Sequence, residues 1–200
     1  MVFNSVGDFN DAFGGFALFN NVDGFSNNAF GDSALFFNIT GAQNTAVGDL
    51  ALENNDSDGA GTANINTAVG AEALFSNVGG DSNNAVGAAF VFGALGSNVS
   101  GTQNNAMGVD ALGSQVDGAG NTAMGDSAFF DNVDGSFNTV IGWDAGGGVE
   151  GGDNIYIGAT SGLPGGGSEN GMIRIGDPSF INACFVAGIL VYQSPVTRSA

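Results

Sequence analysis

The sequence predicts an all-β fold, a β-solenoid or β-roll of about ten coils with a ~17-residue repeat and two short strands per coil. Two observations carry this. The pattern Asn-x-Ala-Φ-Gly, with Φ a larger apolar residue, recurs along the chain, and its closing glycines fall at 14, 31, 48, 70, 87, 108, 125 and 142. The steps between them are 17, 17, 22, 17, 21, 17 and 17, so one unit length with an insertion of five and one of four accounts for the series.

Each part of the unit has a physical reading. Two fixed glycines per unit would cost a helix about 1 kcal/mol each, which excludes a helical repeat. Ala-Φ-Gly alternates as a short strand does, with Φ on one face and small residues on the other. A second short strand is expected around the Ala-Leu pair that follows, as at Ala34-Leu35, Ala51-Leu52 and Ala73-Leu74. Asn and Gly at fixed offsets supply the turns, because both tolerate left-handed backbone. One unit cannot bury its apolar side chains alone, whereas stacked units can.

Stacking predicts columns of like residues. Phe13, Phe30, Val47, Val69, Val86, Met107, Met124 and Ile141 are expected to form one apolar ladder serving as core and assembly surface. The leucines are expected to form a second ladder, and the asparagines a hydrogen-bonded one. The Ala and Gly face should leave a flat surface that another chain can approach, which suggests lateral packing, including a trimer. Phe19, Phe36, Phe37 and Phe75 are expected at a lateral interface.

The repeat occupies residues 1–150. Residues 151–200 hold diverged terminal coils, at Asn154-Ile155-Tyr156-Ile157-Gly158 and Gly171 to Gly176, and a closing segment. The start, Asn4 to Asn10, matches the turn half of a unit, which predicts an open coil edge and head-to-tail stacking into a filament.

Composition excludes several functions. The chain carries 20 carboxylates against two basic residues, Arg174 and Arg198, for a formal net charge of −18. Nucleic acid and anionic membranes are therefore not expected partners. No apolar run is long enough for a membrane-spanning helix. With neither His nor Lys, the commonest general bases are missing, and the acids recur with the turns, so no enzyme is expected. The 17 Phe and 43% hydrophobic content argue against disorder. Cys184 is expected to be an inert core residue.

Asp32 and Asp49, and likewise Asp117 and Asp134, are 17 apart and should stack on adjacent coils, where bound calcium would relieve their repulsion. Solvation of the rod is the reading weighed against that, and apart from calcium no cofactor is expected. Asp56 and Asp58 in the first insertion could form another acidic cluster. Asn38, Asn55 and Asn98 begin N-glycosylation triplets. The second insertion, Phe90-Val91-Phe92-Gly93, is expected to be a bulge or contact patch.

Asn44-Thr45-Ala46-Val47-Gly48 with Ala51-Leu52, and Asn66-Thr67-Ala68-Val69-Gly70 with Ala73-Leu74, resemble the head repeats of trimeric autotransporter adhesins and related bacteriophage tail-fibre repeats. Phe185-Val186-Ala187-Gly188-Ile189 resembles the segment that closes such arrays. The resemblance implies a β-roll displayed on a cell surface or virion and used for attachment. The resulting expectation is an extracellular structural or adhesive fibre protein that associates with itself, with a glycan or cell-surface receptor as a further partner. Ice binding by a flat ladder face is a lesser alternative, since only Thr45, Thr67, Thr122 and Thr139 approach a threonine row.

Overall fold

The computed structural model describes residues 7–89, 91–162 and 166–177. The expectations for Cys184, the closing segment 185–189 and Phe90 lie outside these residues. Among the described residues there is no helix. Eight strands take the motif itself: Asp11–Phe13 (β1), Asn28–Phe30 (β2), Thr45–Val47 (β3), Thr67–Val69 (β4), Asn84–Val86 (β5), Asn105–Met107 (β6), Thr122–Met124 (β7) and Thr139–Ile141 (β8). Val149–Glu150 (β9), Ile155–Ile157 (β10), Gly167–Ser168 (β11) and Ile173–Ile175 (β12) follow.

Ten of them stack as one parallel sheet in the order β1 to β8, β10, β12, and β9 pairs with β11 beside it. The register is that of the repeat: Ala46 pairs Ala68, and Val47 pairs Val69. The fold is therefore a parallel β-solenoid. Both insertions loop out without shifting the ladder, since Thr45 still pairs Thr67 and Asn84 still pairs Asn105.

Two expectations are corrected. The first concerns which way the strand faces. Ala29, Ala46, Ala68, Ala85, Ala106 and Ala123 are buried, whereas the Φ ladder from Phe13 to Ile141 lies outside, from 75% exposed at Phe13 to 37% at Val69. The alanine face is the inner wall, not a free lateral surface. The reason is width: the wall opposite is the leucine column Leu18, Leu35, Leu52, Leu74, Leu95 and Leu112, all buried, and only a small residue fits across from it. Where leucine gives way to Gly146, the strand position enlarges to Tyr156, whose ring would meet a Cβ added at Gly146 at 3.3 Å.

The second correction concerns the Ala-Leu strand. That segment is a corner, with left-handed backbone on both sides of the alanine, as at Ser33 (φ 55) and Leu35 (φ 53). Such φ values cost non-glycine residues about 1–2 kcal/mol each. The cost is offset because the corner turns its polar groups along the stack: Leu35 N–H donates to Ala51 O and Leu52 N–H to Ala73 O, both at 3.0 Å. The corner thus keeps the coil-to-coil bonding of a strand without its backbone.

Candidate interaction face

Two internal asparagine columns fix the stacking. In the motif column, Asn44 N–H donates to Asn27 Oδ1 and Asn66 N–H to Asn44 Oδ1, both at 2.9 Å. The Nδ2 of each donates to a backbone carbonyl, as Asn27 does to Gly41 O. In the turn column, Asn38 Nδ2 donates to Asn21 Oδ1, Asn55 to Asn38 and Asn77 to Asn55. Asn38, Asn55 and Asn98 belong to this column and are fully buried. They are corrected from glycosylation candidates to ladder rungs, because their amide nitrogens donate to the preceding coil, to Asn21, Asn38 and Asn77 respectively, and do not face solvent.

The turn column has one flaw. Gln115 replaces asparagine, and its longer side chain directs the amide to Gly118 O, leaving Asn98 Oδ1 buried without a partner. Gln115→Asn is expected to restore that bond and stabilise the protein by about 1 kcal/mol. A thermal melt should then rise by about 2–4 °C.

The acids serve the backbone. Asp49 Oδ1 accepts Asp32 N–H at 3.0 Å, and Asp126 Oδ1 accepts Val109 N–H at 3.0 Å. Asp117 accepts from Ser100 Oγ, and Asp134 lines a shallow polar groove with Ser136, Glu150 and Asn170. Among the described residues no three acids or other metal-ligating side chains come together.

Both insertions are tied down by a buried carboxylate that sequence reasoning assigned no such role. Asp56 accepts Thr40 N–H, Thr40 Oγ1 and Gly61 N–H at 2.7–2.8 Å. Asp110 gathers the N–H groups of Val91, Phe92 and Gly93 at 3.1–3.3 Å. Phe92 then stacks on Phe130, whose ring covers Gly113. The coil resumes at Ala94-Leu95, a signal visible in the sequence as another Ala-Leu pair followed by Asn98.

In the last coils, Tyr156 Oη donates to Glu169 Oε2 at 2.8 Å, and Arg174 holds the same carboxylate with two nitrogens. The hydrogen bonds from Arg174, the largest influence, and from Tyr156 outweigh desolvation and keep the Glu169 carboxyl below its ordinary value. Burial, followed by the bond to Glu169, raises the Tyr156 phenol. A depressed carboxyl contributes stability that is present above its unfolded value and lost as pH falls through the folded one. Wild type is therefore expected to lose more melting temperature than Glu169→Gln below pH ~4.5, in melts run side by side. Glu53 has the opposite sign: burial and then Glu72 raise it, so its charge opposes folding at neutral pH.

What remains outside is the Φ column, continued by Ile157 and Ile175, ten exposed apolar rungs on ten strands. Beside it on the same face runs a column of Asn and Thr: Asn28, Thr45, Thr67, Asn84, Asn105, Thr122 and Thr139. Of the twenty outward strand positions only Asp11 is charged. At ~4.8 Å per rung the stripe runs for about 43 Å. Phe36 and Phe19 stack at 5.4 Å on the corner side, part-buried.

Fold and face define a tandem-repeat parallel β-solenoid whose outer sheet carries an exposed apolar column beside a largely Asn and Thr one, with Asp11 as its single charge. Neither a protein-family model nor a curated protein nor a solved structure matches the chain.

Proposed function

We propose that this solenoid is a non-enzymatic structural protein that associates with itself through its outer sheet, as an element of an extracellular fibre or surface appendage. One observation carries the reading. A chain with net charge −18 keeps ten apolar rungs exposed on a face with a single acid. Exposed apolar patches of a few hundred Å² or more mark contact surfaces. The exposed area along this stripe is of the order of the ~800 Å² per partner that a standard interface buries. All but one of the carboxylates lie off this face, where they favour solubility. Fixed coil stacking through buried asparagines suits a load-bearing element, and the resemblance to adhesin and tail-fibre repeats is consistent with display outside the cell.

Sedimentation velocity tests the reading. Wild type is expected to shift to a larger species as concentration rises, and Met107→Glu, on the exposed stripe, is expected to remain a monomer with an unchanged melting temperature. A wild-type monomer at the highest soluble concentration would sink the proposal.

A further inference from the structure

We infer that the outer sheet pairs with a second copy of this chain in the antiparallel sense, about a two-fold axis between β5 and β6. The inference rests on the self-association proposed above and adds its orientation. Two copies of the face can meet with their stacks parallel or antiparallel. A two-fold axis lying in the face and across the stack lays every column on itself with its order reversed, so that rung one meets rung ten. The order of residues can therefore be checked for agreement with its own reverse.

The polar column passes this check over the six central rungs. Reading outward from the axis, Asn84 meets Asn105, Thr67 meets Thr122 and Thr45 meets Thr139, whereas at the ends Asn28 meets Ile155 and Asp11 meets Ile173.

The Φ column passes it by size. Phe13 and Phe30 meet Ile175 and Ile157, and Val69 and Val86 meet Met124 and Met107. Each valine of the middle rungs thus receives a longer partner. A parallel pairing, about an axis along the stack, exchanges the two outward columns. Centred on the face, it would lay Val47 against Thr45 and Val69 against Thr67, setting apolar side chains on polar ones from β1 to β8. A shallow dent lined by Asn84, Val86, Asn105, Met107, Thr122 and Met124 spans β5 to β7, to one side of the axis, opposite the shorter valines that the reversed order brings there.

Charge gives a third, independent check. The column bordering the stripe, one residue after each motif glycine, carries the acids Asp32, Asp49, Asp126 and Asp177. Reversal sets Asp32 against Ala159 and Asp49 against Trp143. It sets Asp126 against Ala71 and Asp177 against Gly15. No acid meets an acid.

Cross-linking with a short bis-maleimide reads the orientation. Val47→Cys and Ile141→Cys are made separately in a Cys184→Ser background. The antiparallel pair brings positions 47 and 141 of different copies together, while 47 stays about five rungs, ~24 Å, from its own counterpart. Each variant alone is expected to give no cross-linked dimer, and their mixture is expected to give a dimer whose linked peptides contain 47 and 141. Thr45→Cys with Thr139→Cys repeats the test one column over, should either first variant fold poorly. Links of 47 to 47 and 141 to 141 would overturn the antiparallel arrangement, as would an oligomer by sedimentation that yields no 47–141 link. A monomer by sedimentation would instead remove the underlying self-association.

Discussion

Gly108→Ala is expected to abolish the folded state or to cost more than about 4 kcal/mol, the range reserved for severe core defects. The motif glycines form a column at which adjacent coils touch backbone to backbone. At Gly108, φ is +136°, and an added Cβ would lie 2.5 Å from the carbonyl carbon and oxygen of Gly125 and 2.8 Å from Asp126 N. Those atoms belong to the next coil's main chain, so nothing flexible can yield. Separating the coils would break the bonds on both sides, including Gly125 N–H to Met107 O at 2.8 Å. Gly171→Ala is the matched control: φ is +67° but nothing lies within 4 Å, so only the backbone strain of about 1–2 kcal/mol applies. Circular-dichroism melts of the two variants should differ widely, and equal losses would show that strain, not coil contact, sets the glycine requirement.

Asn77→Asp is expected to cost about 3–5 kcal/mol at neutral pH, despite near-identical shape. Asn77 is fully buried, and its Nδ2 donates to Asn55 Oδ1 at 2.8 Å and to Gly80 O at 2.9 Å. Its Oδ1 accepts Asn98 Nδ2 at 2.8 Å, a bond the substitution retains. The introduced carboxylate would point an oxygen at two acceptors inside the coil, away from water. Protonation would relieve part of the loss, so the penalty should shrink as pH falls. Denaturant melts at neutral and acid pH read both effects. An unchanged midpoint at neutral pH would mean that the turn column is not a stability element.

The period, the coil stacking and the asparagine ladders were legible because each is a property of spacing. A one-residue error in the Gly48-to-Gly70 step would have put Val69 out of line with Val47, and no such error arises. The facing of the strand was not legible in the same way. Alternation states that Ala68 and Val69 point to opposite sides, but which side is inside depends on the width left by Leu74 across the coil, a packing quantity. The usual preference for the larger residue inside points the wrong way here, since a 17-residue coil closes too tightly for leucine to face valine. The Ala-Leu corner was hidden for a related reason: leucine at φ near 53° has no sequence signature, and it is held by bonds to the next coil. Asp56 was read as part of an acidic cluster because an acid in an insertion looks like surface charge until the N–H groups it gathers are in view. Asp110, at a regular position of the unit, carries no signal of its role in the sequence. With the strand turned over, the Φ ladder changes from a core element into the face on which the proposed function depends.

Hydroxyl-radical footprinting across a concentration series tests the central claim most directly, because it reads both the outward facing of the Φ column and its contact with a second copy. In dilute solution Met107 and Met124 are expected to oxidise readily while Leu52 and Leu74 stay protected. As concentration rises, the two methionines are expected to become protected and the leucines to remain so. Methionines protected at every dilution would contradict the outward face, and methionines oxidised equally at every concentration would contradict its use as an association surface.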